Sequence, residues 1–148
     1  MNQNELIKTV VMVGPQLAND GPFANNTAVD TRGYTRLRAE FIVGGTDVAV
    51  GSGDDSTPPF LEECDSLEGD YTPIEDAELS AVIGADDDGK VFAIDVNLVK
   101  AHKRFVRVND PTAGDSTGAY MCVLGRLFYP AVAWGGAAEQ GLEELVRV

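Results

Sequence analysis

Tyr34-Thr35-Arg36-Leu37-Arg38-Ala39-Glu40-Phe41-Ile42-Val43 is the stretch that decides the fold. Leu37, Ala39, Phe41 and Val43 fall on one side of an extended chain, with Arg36, Arg38 and Glu40 on the other. A period of two is that of a half-buried antiparallel strand. Val91–Val99 repeats it: Phe92, Ile94, Val96 and Leu98 alternate with Ala93, Asp95 and Asn97. Ile7–Val13 and Lys103–Asn109 are rich in β-branched or aromatic residues and also read as strands. Ala119–Tyr129 is apolar on both faces, which predicts a strand covered on both sides, its second cover being a neighbouring subunit.

Turn-forming segments separate these runs. Gly51–Pro59 holds only Gly, Ser, Asp, Pro and one Thr, and reads as a loop. Asp86-Asp87-Asp88-Gly89 is a tight acidic turn, and residues 111–118 read as a Gly-containing hairpin loop. Many short strands at this spacing predict an all-β fold, an antiparallel β-sandwich or barrel with the jelly roll among the options. With 148 residues and 15.7 kDa, the chain suits one domain over 1–130 and a tail over 131–148. In the tail, Ala138, Leu142, Leu145 and Val146 recur at spacings of three and four, the pattern of a short helix that must dock to persist. Gly135-Gly136 reads as a hinge before it.

The charge is −13, and it is local. Residues 46–95 hold ten Asp and five Glu against Lys90 alone, and the remainder is nearly neutral. Broad nucleic-acid binding is excluded, because it rests on Lys and Arg neutralising phosphates. No run of 18 apolar residues exists, so no membrane span is expected, and Met1–Lys8 lacks the basic-then-apolar order of a signal peptide.

Catalytic and metal chemistry find little support. Cys64 and Cys122 do not make a disulfide framework, and with His102 as the single histidine no zinc-ligand set forms. Counting an EF-hand from Asp86 puts Lys90 at position 5 and Asn97 at position 12, so that pattern fails. Glu62 and Glu63 in a strand point to opposite faces and cannot act as a carboxylate pair. No nucleophile elbow, P-loop or dinucleotide fingerprint occurs. The chain reads as a non-enzyme without a cofactor.

A series of segments carries a resemblance: Val29-Asp30-Thr31-Arg32-Gly33-Tyr34, Val43–Ala49, Leu61–Asp65, Asp86–Phe92, Lys103-Arg104-Phe105, and Thr112-Ala113-Gly114-Asp115-Ser116-Thr117-Gly118-Ala119-Tyr120. In this order, from about Asn26 to Phe128, the chain resembles the jelly-roll capsid decoration (cement) proteins of tailed bacteriophages and prophages. The resemblance implies a non-enzymatic virion protein that assembles as a homotrimer on the outer capsid surface and stabilises the shell. Its partners are then itself and the major capsid protein. On that footing Asp30, Gly33, Asp115 and Gly118 form turns, while Phe128, Tyr129, Trp134, Leu142, Leu145 and Val146 are the interface candidates. The competing class is a carbohydrate- or receptor-binding β-sandwich module of a phage tail or surface. It requires aromatic platforms, and several of the eleven aromatics sit at inward strand positions.

Overall fold

A computed structural model describes residues 7–129 and 141–144. Among them are eleven strands and no helix. In chain order these are β1 (Ile7–Ala18), β2 (Gly21–Pro22), β3 (Val29–Asp30), β4 (Arg36–Thr46), β5 (Val50–Ser52) and β6 (Phe60–Cys64). They are followed by β7 (Thr72–Glu78), β8 (Val91–Asn97), β9 (Phe105–Val108), β10 (Pro111–Ala113) and β11 (Ala119–Phe128).

A front sheet has the order β1-β11-β4-β8 and a back sheet the order β3-β9-β6-β7, with a small sheet β2-β10-β5 between their loops. Every strand pairing is antiparallel. The alternation in β4 is what joins the layers. Leu37, Ala39 and Phe41 are fully buried, opposite Leu127, Gly125 and Val123 of β11. On the other side of β4, Leu37 and Ala39 meet Val96 and Ile94 of β8. Leu61, Val106 and Val108 of the back sheet complete the same core. The all-β antiparallel sandwich expected from periodicity is the observed fold.

Several boundaries differ from the sequence reading. β1 runs on through Gly14 and Pro15 to Ala18, accommodated by register shifts against β11 after Val11 and Val13. Gly51 and Ser52, read as loop, lie in β5, and Pro111–Ala113, read as hairpin loop, form β10. These two pair with each other over three residues, too short a ladder to leave a periodic signal. β6 and β7, which periodicity did not mark out, close the back sheet. Residues 141–144 are turn and bend rather than helix, because Gly141 adopts φ +73 and lies against the Thr9 carbonyl of β1. Ala138, Leu145 and Val146, the other positions of the helical pattern, lie outside the described residues, as do Trp134 and the Gly135-Gly136 hinge.

Candidate functional site

The open face of the front sheet is built by the residues between the buried ones. On β11 these are Tyr120, Cys122, Leu124, Arg126 and Phe128, beside Val11 of β1 and Ile42 of β4. Val11, Tyr120 and Val91 remain 53%, 56% and 60% exposed. Cys122 and Ile42 lie opposite one another, Ile42 lies opposite Val91, and Leu124 lies opposite Val11. Together they form one apolar band. A groove of about 370 Å³ runs along its end between Pro15, Ile42, Gly44, Tyr120 and Cys122. Burial raises the Cys122 thiol above the usual thiol range, so it behaves as a small apolar side chain there.

Arginines border the opposite end of the face. Arg36 and Arg38 both reach Asp95 of β8, Arg38 at 3.0 Å. The hydrogen bond from Arg36 is the main reason that the Asp95 carboxyl is held below its usual range. The two guanidinium groups also lie 5.4 and 5.9 Å from the ring centre of Phe128, within reach of its π-face. Tyr129 follows at φ +55, with its ring 6.1 Å from that of Phe128. Two of the interface candidates are thereby brought together with arginines that sequence reasoning had not singled out. Leu142 sits apart, half-buried, beside Gly141 at the edge of β1. Trp134, Leu145 and Val146 lie outside the described residues.

The four turn residues occupy two ends of the sandwich. Asp30 accepts the Arg32 N–H at 3.1 Å and pairs with Arg104 at 2.7 Å, and Gly33 adopts φ +88. Gly118 adopts φ +109, and a Cβ there would come 2.3 Å from the Ala18 carbonyl. The clamp on the 114–118 loop is Asp47: it accepts from Thr117 Oγ1 and, at 3.0 Å, from Gly118 N–H. Those bonds, the Thr117 hydroxyl first, hold its carboxyl below the usual range. Asp115 instead faces Asp20, and their shared hydrogen bond and mutual repulsion push its carboxyl upward. Only the register of the folded sheet brings Asp47 to this loop, so sequence spacing gave no sign of it.

The acidic loops spend their carboxylates on turns. Asp54 accepts from Ser56 and Thr57, Asp88 from Thr46 N–H, and Asp87 from Gly84 N–H and Lys90. Among the described residues no group of three or more His, Cys, Asp or Glu side chains is placed to hold a metal ion. A polar cleft of about 540 Å³ opens between β7 and β8, where Glu63 accepts from Lys103 N–H and contacts His102 Nδ1, both at 3.0 Å. No Phe, Tyr or Trp side chain lines it. Compared with protein-family models, curated proteins and solved structures, the chain matches none.

Proposed function

We propose that the chain is a virion structural protein: a jelly-roll decoration (cement) protein that binds the outer capsid surface of a tailed phage as a homotrimer and stabilises the shell. The observation that carries this reading is the open face of the front sheet. β11 is largely apolar on both sides, and the band formed by exposed Val11 and Tyr120 with half-buried Ile42, Cys122 and Leu124 lies open on a molecule otherwise rich in acids. Contiguous apolar surface of this kind marks an interaction site, while a net charge of −13 keeps free subunits apart in solution. In the trimer, neighbouring subunits cover that band. The Phe128 and Tyr129 rings, flanked by Arg36 and Arg38, supply the aromatic and arginine anchors typical of interface centres. The ordered resemblance from Asn26 to Phe128 supports the same assignment.

The test is to mix the purified chain with undecorated shells of the virus that encodes it and image them by electron cryo-microscopy, with light scattering on the free chain. A regular array of added density on the outer surface, from a species of three times the 15.7 kDa chain mass, is the expected result. Shells that stay bare at saturating protein overturn the reading.

A further inference from the structure

The two large sheets have four outer edges, and three of them are protected against pairing with another chain. β1 carries Pro15 and two register shifts, and Gly141 lies against its Thr9 carbonyl. β3 is two residues long. β7 carries Pro73, Asp76 at φ +62 and a shift in its register with β6. Bulges, prolines and short strands are the usual means by which exposed edges are blunted. β8 has none of them. Its seven residues pair with β4 without a shift, from Asn97 opposite Arg36 to Val91 opposite Ile42, and contain neither Pro, Gly nor Lys.

Among the described residues no strand pairs with the outer edge of β8, and that edge has a definite hydrogen-bonding pattern. Val43 N–H donates to the Lys90 carbonyl at 3.0 Å and Leu98 N–H to the Thr35 carbonyl at 2.9 Å. Even-numbered residues of β8 therefore turn their N–H and C=O toward β4. Val91, Ala93, Asp95 and Asn97 turn theirs to the open side. The cleft between β7 and β8 lies along the Asp95–Asn97 half of that edge, with β7 of the back sheet as its other wall.

We propose that β8 is a strand-addition edge whose occupant is β8 of a second copy, antiparallel about a two-fold axis at Ile94. Only odd-numbered residues can exchange hydrogen bonds across this edge, which limits the registers. Centring on Ile94 gives the longest overlap: Val91 opposite Asn97 and Ala93 opposite Asp95, with both pairs repeated by symmetry. No two carboxylates then face each other, since Asp95 meets an alanine. Sliding so that Asp95 meets Asp95 opposes like charges and shortens the ladder. Half-buried Phe92 gains Val96 of the second copy as its neighbour, and the two front sheets become one continuous sheet. This contact uses an edge, not the apolar face assigned to the trimer, and it stands without the decoration reading.

Sedimentation equilibrium and amide hydrogen exchange on the free, full-length chain test it. Protection at Val91, Ala93, Asp95 and Asn97 is expected to rise with protein concentration, while the amides of Phe92, Ile94 and Val96, already bonded to β4, change little. Ala93 is exposed, so both charged variants can be tolerated by the fold. Ala93→Asp, which opposes Asp95, should weaken the pairing about fivefold, and Ala93→Lys should tighten it by a similar factor. The proposal is overturned if the odd-numbered amides exchange as a free edge at every concentration, including within a trimer. It is equally overturned if the two variants shift association in the same direction or not at all.

Discussion

Gly33 and Gly118 read alike in sequence, as glycines in turns, yet they hold different places in the fold. Both have positive φ, but a Cβ on Gly33 meets nothing within 4 Å, whereas one on Gly118 meets backbone. Gly33→Ala should therefore cost only the left-handed backbone penalty, about 1–2 kcal/mol. Gly118→Ala adds a clash with the Ala18 carbonyl that no rotamer relieves, for a total of roughly 2–4 kcal/mol. Urea denaturation of both variants checks the order, and equal losses would contradict it. A second residue-scale case is Glu62, which is 4% exposed although it lies on a strand near the surface. It accepts from Arg107 Nε at 2.6 Å and Asn109 Nδ2 at 2.7 Å, and Arg107 in turn lies 4.0 Å from the ring centre of Tyr71. Glu62→Ala leaves Asn109 without its acceptor and Arg107 without its counter-charge. Because Arg107 keeps some solvent contact, the expected loss is about 2–3 kcal/mol, below that for a fully buried pair. Glu62→Gln, which keeps an acceptor, should lose less than half of that.

β11 shows at the scale of one element how packing and assembly divide between two faces. Leu127 is 1% exposed and points into the core, while Leu124 is half-buried on the open face, opposite Val11. Leu127→Ala should cost about 3 kcal/mol of folding stability through cavity formation. Leu124→Asp, which also sets a carboxylate opposite Glu40 of β4, should cost about 1–2 kcal/mol in the monomer, yet abolish association through that face. Denaturation midpoints and light scattering on the two variants separate the effects; an associating Leu124→Asp protein would remove β11's outer face from the assembly. The strands legible in the sequence are those long enough to show a period: β4 and β8 by alternation, β11 by its two apolar faces. β5 and β10 escaped because three residues each, Val-Gly-Ser and Pro-Thr-Ala, are too few to show a period and owe their strand geometry to each other. The tail misled in the opposite way, since the spacing around Leu142 is helical but Gly141 leaves the helical region to meet β1. The candidate site divides similarly. Phe128 and Tyr129 were legible as aromatics ending an apolar run, whereas Val11, Ile42 and Arg36 join them only through register across three strands.

At the scale of the whole molecule, five loop aspartates far apart in sequence (Asp20, Asp47, Asp55, Asp88 and Asp115) are brought together in space. Asp20 N–H bonds Gly114 O, Asp47 clamps residues 117–118, Asp88 holds Thr46, and the Asp55 carboxylate lies against Gly114. These loops converge on one end of the sandwich, where carboxylates crowd. Asp115 registers that crowding: the hydrogen bond it shares with Asp20, then their repulsion, raise its carboxyl above the ordinary value. A raised value means that the folded chain holds more protons than the unfolded chain between the unfolded value, about 3.9, and the folded one. Stability therefore falls as pH rises through that window, and the penalty persists at neutral pH. Asp30, Asp87 and Asp95 have the opposite sign. Their partners, chiefly Arg104, Lys90 and Arg36, depress them. Their contribution is present above the unfolded value and is lost as pH falls through the depressed folded values. Asp115→Asn should thus raise the thermal midpoint at pH 7, with the gain disappearing well below pH 3.9, where the native carboxyl is already protonated. Asp95→Asn should lower the midpoint at pH 7 and converge with the native chain in strong acid. Thermal melts of the two variants at pH 7 and pH 3 decide it: a gain for Asp115→Asn that survives at pH 3 would mean that the side chain, not the charge, limits this end of the sandwich.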